Sequence, residues 1–423
     1  MTITYHRLPE PLLTGLAASN GGPEACRVLA EAQLSKHLLL IADLLRRWTG
    51  PVAARDGIVA ALEAARSADP AAAGRVLGSP QVGAWITIVS RAVEQGRAAP
   101  ADMAHAGAVA AVACAAAGVD TEMIVPVRDG AVCLPGRGRL TVGDVAAARL
   151  TSAEGVLSAG THVARAGDAA WQPVRMLHAD AGGIGVAVAL DDLDPYRHGY
   201  HAPPAPRLPD DEFARWQELF AGAWRLLAER LPERAAEIAA GLRVLVPLQD
   251  DGRSSRSATI RHLFGIFGLT LPATAADFAV TLVHEFQHAK LSALLDLEEL
   301  TDPADTGTYF APWRTDPRPL AGLLQGVYAF AGVADTWRAL RGADGVTGTA
   351  EQEFADARLH VHRSLAEVES SGSLTPAGER FAGELRHFTD ALLAVPLPAT
   401  VAEEARRNHE AIHRRWLAAN TPA

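Results

Sequence analysis

The sequence has few cysteines and no long, strongly apolar run. Its 423 residues include only Cys26, Cys114 and Cys133, which are widely separated and form no CxxC pair. A disulfide framework and a cysteine-built zinc site are therefore excluded, and a reducing, cytoplasmic location is expected. The N-terminus lacks the apolar core of a secretory signal. Residues 103–119 are mostly alanine and fall short of the ~20 strongly apolar residues of a membrane span, so we expect no membrane association.

Basic residues are outnumbered by acidic ones. The chain has 39 Lys and Arg against 49 Asp and Glu, and its formal net charge is −10. Only Lys36 and Lys290 are lysines, and no basic stripe runs along the chain. A sequence-independent nucleic-acid binder needs such a stripe, so nucleic acid is excluded as a partner. With 49% hydrophobic residues, a chain of this length can bury a sizeable core, which rules out general disorder.

Hydrophobic periodicity predicts three parts along the chain. Residues 1–120 are predicted to form an N-terminal helical region, residues 121–200 a β-rich segment, and residues 201–423 a catalytic domain that carries the motif described below. The expected fold class is α+β and predominantly helical, with the motif-bearing helix packed beside a small sheet. The number of copies in the functional assembly is not indicated by the sequence.

Local patterns predict individual helices and strands within these parts. Amphipathic periodicity predicts helices over 23–48, 58–77, 101–117 and 211–241, the last of them broken at Pro232. Short apolar runs predict strands at 242–248 and 263–271. The second of these strands could take up a peptide by β-augmentation, although an ordinary internal strand is the simpler interpretation.

One helix carries the most specific signal in the chain. A helix is predicted over 274–300, where Thr274 and Asp277 match a capping box in its acidic form. Inside it, residues 284–288 read His-Glu-Phe-Gln-His, which is an HExxH motif.

The two histidines of this motif have the spacing of metal ligands. At 100° per residue, His284 and His288 share a face with the apolar stripe of the helix, so both imidazoles point toward the interior. Two neutral imidazoles one turn apart can bind a single metal ion. Glu285 can reach a metal-bound water or another group beside the metal. We therefore predict a metal site at this helix.

The third ligand is not fixed by the motif. A metzincin would have glycine and histidine where this chain has Leu291 and Leu294, so that subclass is excluded. A glutamate from a following helix is a second possibility, and Glu351 and Glu353 are the candidates. A solvated helical face is the simpler interpretation of both glutamates.

The next predicted helix offers a different group. We predict that it begins with Asp316 as N-cap and Pro317 at its first position, and that it stops at Gly342. Gln325 lies on a face of small residues that would allow a neighbouring helix to approach closely. The members of this small-residue face are Gly322, Gly326 and Ala329. A buried amide there needs partners, which could be a metal, a metal-bound water or an ordinary hydrogen bond.

Two arginines precede this helix on a segment stiffened by prolines. Arg314 and Arg318 could present bidentate donors to the carboxylate of a small molecule. They could equally be surface residues that pair with Asp302, Asp305 or Asp316.

Taken together, these segments resemble a known family. The resemblance rests on residues 284–297, HEFQHAKLSALLDL, and residues 309–338, YFAPWRTDPRPLAGLLQGVYAFAGVADTWR. They are similar to the actinobacterial HExxH motif proteins of peptide-modification gene clusters, the 2-oxoglutarate-dependent HExxH-type peptide β-hydroxylases. Weaker similarity extends to residues 189–197 and 371–381. Some members are fused to a radical SAM domain, whereas this chain resembles the standalone form because it has no such cysteine cluster.

The resemblance implies a non-haem iron(II) dioxygenase that hydroxylates Cβ of a residue in a ribosomally synthesised precursor peptide. Iron(II) would be the cofactor, and 2-oxoglutarate and O₂ the cosubstrates. The resemblance implies His284 and His288 as iron ligands, and Gln325 as a third ligand or a group close to the metal. It also implies Glu285 as a carboxylate at the metal or a group that orients water and peptide. Arg314 or Arg318 would hold the distal carboxylate of 2-oxoglutarate.

Two other classes remain open from the sequence. In a zinc metallopeptidase, His284 and His288 would bind zinc, Glu285 would be the general base, and Glu351 or Glu353 would be the third ligand. In a catalytically inactive recognition protein, the same chain would only bind a leader peptide.

Overall fold

Helices form the first part of the chain, as predicted. The computed structural model describes residues 6–200, 202–252, 255–343, 346 and 348–420. Its first helices are α1 (Glu10–Ala17), α2 (Gly22–Arg46), α3 (Val52–Ala68), α4 (Pro70–Leu77), α5 (Pro80–Glu94), α6 (Pro100–Ala104) and α7 (Ala106–Ala116). The single helix predicted over 58–77 is two helices, because Asp69 caps a new one that begins at Pro70. α5 was not predicted.

Strands fill the middle of the chain. They are β1 (Thr121–Pro126), β2 (Ala131–Leu134), β3 (Gly138–Thr141), β4 (Ala147–Ala153), β5 (Val156–Ala159), β6 (His162–Val163), β7 (Trp171–Pro173), β8 (Arg175–Ala181) and β9 (Ile184–Leu190). This confirms the predicted β-rich segment. β1, β4, β5 and β6 form one antiparallel sheet, and β2, β3 and β7 form another.

The last part is mostly helical, with three strands near its beginning. Its elements are α8 (Asp210–Arg230), α9 (Pro232–Gly241), β10 (Val244–Pro247), β11 (Ser257–Ala258), β12 (Ile266–Leu269), α10 (Ala275–Leu294), α11 (Leu320–Leu340), α12 (Ala350–Ser370), α13 (Pro376–Ala394) and α14 (Ala399–Asn420). The break at Pro232 is confirmed. The whole is a predominantly helical α+β fold, as the sequence predicts. Among the described helices, none combines the length and the hydropathy that crossing a membrane requires.

The sheet beside the motif helix joins the middle and last parts. Its strand order is β11, β12, β10, β9 and β8. β12 pairs in parallel with β10 and antiparallel with β11, so β12 is internal and cannot add a peptide strand. The strands at the two edges of this sheet are β11 and β8. One hydrophobic cluster contains residues of α1 and α2 together with residues of α8 to α13. The division of the chain into three domains stays a prediction.

The helix predicted to begin at Asp316 begins three residues later. α11 starts at Leu320 after Pro319, and Arg318 instead pairs in extended conformation with Tyr309. The two backbone hydrogen bonds of this pair measure 2.8 and 3.0 Å. The residue before a proline is disfavoured in the helical region, so Pro319 keeps Arg318 extended. The predicted N-cap was wrong because this restriction outweighs the preference of Pro317 for a first helical turn.

Glycine allows α10 and α11 to approach each other closely, but not at the predicted position. A Cβ on Gly332 would lie 2.8 Å from Cγ of Gln287 and 3.0 Å from Val283 of α10. By contrast, Gly322 faces Arg318, and Gly326 faces Trp313. The predicted small-residue face therefore packs against the segment that precedes α11.

The face of α10 that meets Gly332 also carries a buried ion pair. Nζ of Lys290 donates to Oε2 of Glu237 at 2.6 Å, and both side chains are fully buried. Oε1 of Glu237 accepts backbone N–H groups of Gly21 and Gly22 at 2.8 and 3.2 Å. Burial lowers the pKa of Lys290. The pair therefore ties α9, α10 and the turn before α2 into one unit.

We predict that Glu237→Gln destabilises the protein strongly. The amide cannot balance the buried charge of Lys290, and loss of one partner of a buried pair costs about 3 kcal/mol or more. Glu31→Gln is the control, because Glu31 pairs with Arg27 on the exposed face of α2, where such pairs contribute below about 1 kcal/mol. The measurement is chemical denaturation of both variants. Equal midpoints would contradict this account.

Candidate metal centre

The motif helix begins as the sequence predicts. Oγ1 of Thr274 accepts the backbone N–H of Asp277 at 3.1 Å, which caps α10. Because the cap fixes the start of the helix, the apolar stripe faces the core, where Phe278, Leu282 and Phe286 are buried. The two histidines lie on the other side of the helix from Leu282 and Phe286, in line with Val280 and Thr281, and are only partly buried there.

His284 and His288 face each other one turn apart. Their ring centres are 4.7 Å apart and their planes are almost perpendicular. Burial, together with the neighbouring His288, lowers the pKa of His284 well below its usual range. His284 is therefore neutral near pH 7, and a neutral imidazole is the form that binds metal.

A hydrogen-bonded pair orients the second imidazole. Nδ1 of His288 lies 3.2 Å from Oε1 of Gln325, and Nε2 of Gln325 donates to Oγ of Ser292 at 3.3 Å. With Nδ1 as the donor, Nε2 of His288 keeps its lone pair for a metal. Histidine ligands of metals usually have such a partner at the second nitrogen. The structure thus brings Gln325 to the predicted site and turns its amide toward His288 and Ser292.

Glu285 is buried beside the same two histidines. Its Oε2 accepts a hydrogen bond from Oγ1 of Thr259 at 2.6 Å, and its carbonyl oxygen is 3.0 Å from that hydroxyl. Its other oxygen, Oε1, lies 3.9 Å from Nε2 of His284. Thr259 directly follows β11, so the edge of the sheet holds one oxygen of Glu285 and leaves the other beside His284.

Aromatic rings cover the outer side of His284. The edge of Phe330 lies against His284, with ring centres 5.0 Å apart. Trp313 stacks on Phe330 at 4.6 Å, with an angle of 17° between the planes. Gly326 makes room for Trp313, since a Cβ there would lie 2.4 Å from the indole. These rings limit the access of water to the imidazole.

Both predicted arginines pair with one carboxylate. Nε of Arg314 lies 2.9 Å from Oδ1 of Asp316, and a guanidinium nitrogen of Arg318 lies 3.1 Å from Oδ2. The arginines nevertheless lie in different surroundings. Arg318 packs over Gly322 in the first turn of α11, one turn before Gln325. Arg314 is exposed and borders a cavity beside α14.

The two glutamates that were considered as third ligands interact with other charged residues. Glu351 faces Arg341, at 3.9 Å. Arg341 follows Gln325 by 16 residues, which is about 24 Å along a helix. Burial and the nearby carboxylates Asp356 and Asp277 raise the pKa of Glu353. Within the described ranges, no group of three or more His, Cys, Asp or Glu side chains is arranged to hold a metal.

Several neighbours of the site were not predicted. Ser292 lies one helical turn after His288, so periodicity could have indicated it. Thr259 and Phe330 come from distant parts of the chain, and no local pattern indicates their contacts. One histidine outside the site was also misjudged. The sequence around His409 is rich in arginine and glutamate, like that around His360, His362, His387 and His413, and predicts a surface residue. His409 is instead buried against Phe310 and His360.

No protein-family model matches the chain, and no curated protein matches it significantly.

We predict that neutral His288 carries its proton on Nδ1. The carbonyl oxygen of Gln325 accepts that proton, and the donor to Ser292 fixes the orientation of the amide. Gln325→Leu removes the acceptor of this hydrogen bond with little change in side-chain volume. We therefore expect this variant to lose the preference for the proton on Nδ1. Long-range ¹H–¹⁵N spectra of the metal-free protein at alkaline pH report the tautomer. A proton on Nε2 in the wild type would contradict the arrangement.

Proposed function

We propose that this protein is an iron(II)- and 2-oxoglutarate-dependent dioxygenase that hydroxylates Cβ of a residue in a ribosomally synthesised precursor peptide. The observation that carries the proposal is the set of groups beside the two imidazoles. Oε1 of Glu285 lies 3.9 Å from Nε2 of His284, and Gln325 holds Nδ1 of His288. Two histidines and one carboxylate, with other positions open, are the ligand set of non-haem iron oxygenases.

The same set argues against the zinc peptidase. A catalytic zinc site has three protein ligands, and the glutamate of HExxH acts separately as the base. If Glu285 is the base here, the described part of the chain leaves zinc with only His284 and His288. If Glu285 is a ligand, the base is missing. Of the two alternative third ligands, Glu351 faces Arg341, and Glu353 lies near the carboxylates of Asp356 and Asp277.

The donor chemistry fits iron(II). His284 and His288 would bind it through nitrogen. Glu285 would have to turn Oε1 toward the metal, because these three described side chains do not stand as a metal-holding group. Gln325 would orient His288 without binding the metal. Iron(II) would supply the redox chemistry by which R–H, 2-oxoglutarate and O₂ become R–OH, succinate and CO₂.

The chain's own groups would then position and protect the site. Thr259 holds Oε2 of Glu285, so the carboxylate cannot rotate freely. Phe330 and Trp313 shield His284 from water. A dry, fixed arrangement favours reaction of the bound peptide over side reactions.

Arg318 is the better placed of the two arginines to hold the distal carboxylate of 2-oxoglutarate. It packs over Gly322 in the first turn of α11, and Gln325 follows one turn later beside His288. The substrate and the compartment follow from the proposal. A precursor peptide is made in the cytoplasm, and the free thiols of Cys26, Cys114 and Cys133 suit a reducing compartment.

We predict that Glu285→Gln impairs metal binding itself. An amide is a weaker ligand for iron(II) than a carboxylate, so affinity falls at least tenfold and succinate formation from 2-oxoglutarate is lost. Equilibrium dialysis with iron(II) and with zinc measures the affinity. In a peptidase, Glu285→Gln would keep zinc and lose only cleavage.

Glu351→Gln is the matched control for this change. It removes the same charge from the residue that the peptidase would need as a ligand, and we expect unchanged metal binding. Loss of metal in Glu351→Gln, with metal retained in Glu285→Gln, would contradict the dioxygenase and favour the peptidase.

We predict different effects for the two arginines. Arg318→Ala weakens binding of 2-oxoglutarate to the Mn(II)-loaded protein by about tenfold or more, because a charge-assisted hydrogen bond to a carboxylate is lost. Arg314→Ala changes this affinity less than about threefold, although it removes the same charge beside Asp316. Calorimetry without oxygen measures both. An unchanged affinity in Arg318→Ala would remove that residue from the site.

A further inference from the structure

The cavity beside α14 lies behind the stacked rings of Trp313 and Phe330 that shield His284. It has a volume of about 420 Å³ and opens between the end of α14 and residues 312–315. Its walls include the indoles of Trp313 and Trp416, the guanidinium groups of Arg314 and Arg415, and the side chain of Ile412. The volume lies within the range of small-ligand sites.

The two walls of this cavity are held together. Nδ2 of Asn420 donates to the carbonyl oxygen of Thr315 at 2.9 Å. Phe310 packs against Trp416, with ring centres 5.3 Å apart, and against His413 at 4.7 Å. The cavity is therefore formed before any ligand enters, which reduces the entropic cost of binding.

The charge of the cavity is positive. Among the described residues that line it, none is Asp or Glu. Asp316 pairs with both Arg314 and Arg318, so one carboxylate faces two guanidinium groups. Arg415 is exposed, and within the described chain no carboxylate lies at ion-pair distance from it. A ligand with a carboxylate next to apolar atoms therefore suits this cavity, which is lined by two arginines and two tryptophans.

The cavity shares a wall with the candidate metal centre. One face of Trp313 stacks on Phe330, whose edge meets His284. The ring centres of Trp313 and His284 are consequently less than about 10 Å apart. The stacked rings of Trp313 and Phe330 fill the direct line, so a peptide would pass around them. An extended peptide covers about 3.3 Å per residue, so about three residues are the minimum that spans this distance.

We propose that this cavity binds an acidic side chain, Asp or Glu, of the peptide substrate. The acidic residue would lie at least three positions from the residue presented at His284, and it would select acidic segments for modification. The link to modification rests on the proposed function, whereas binding of the acidic side chain does not. The carboxylate of 2-oxoglutarate has the same chemistry, and the test distinguishes the two sources.

Calorimetry on the metal-free protein tests the proposal without any turnover. The probe is a Gly/Ser-rich decapeptide with a central Glu-Phe-Glu segment and blocked termini, so that its only carboxylates are on side chains. Its twin carries Gln-Phe-Gln. We expect the acidic peptide to bind at least tenfold more tightly than the twin. We also expect Arg415→Ala to weaken it about tenfold.

Arg414→Ala is the matched control for this variant. Arg414 is the preceding residue on α14, is also exposed and does not line the cavity, so we expect less than a twofold change. Equal binding of both peptides, or equal losses in Arg415→Ala and Arg414→Ala, would overturn the proposal. The proposal would also be overturned if 2-oxoglutarate displaced the peptide and if Arg415→Ala weakened the binding of 2-oxoglutarate as well. Failure of hydroxylation alone would leave the binding result unaffected.

Discussion

The close packing of α10 against α11 is the constraint on which the candidate site depends. The helices run in opposite directions and touch at Gly332. A Cβ added to Gly332 would lie 2.8 Å from Cγ of Gln287. At that separation, Gln325 reaches Nδ1 of His288. Phe330 reaches the ring of His284 at the same separation. A side chain at Gly332 would push the helices apart and separate both pairs. The motif supplies two imidazoles, but the neighbouring helix determines their orientation and their exposure to water.

Further contacts of α10 explain why this arrangement can be rigid. The buried pair of Lys290 and Glu237 ties α10 to α9 and to the turn before α2. Thr259, just after the edge strand β11, holds Glu285 from a third direction. Breaking a buried ion pair costs more than breaking an exposed one, so α10 cannot shift easily relative to these partners. The first part of the chain thereby contributes to the geometry of a site formed by the last part.

Local features of the sequence predicted the elements, and tertiary contacts decided the details. The cap at Thr274 and the break at Pro232 depend on neighbouring residues, so they could be predicted. The start of α11 was misjudged because Pro319 restricts the residue before it. The contact of Thr259 with Glu285 spans 26 residues and has no signature in either segment. The pairing of both arginines with Asp316, by contrast, is local and was one of the alternatives that the sequence left open.

The most direct test of the account is a titration of the iron(II)-loaded protein with 2-oxoglutarate, without oxygen, followed by visible absorption. The account predicts a weak metal-to-ligand charge-transfer band that saturates with 2-oxoglutarate. The band should be absent in His284→Ala and His288→Ala and unchanged in His387→Ala, since His387 is exposed on α13. No band in the wild type, with tight binding of zinc, would contradict the dioxygenase.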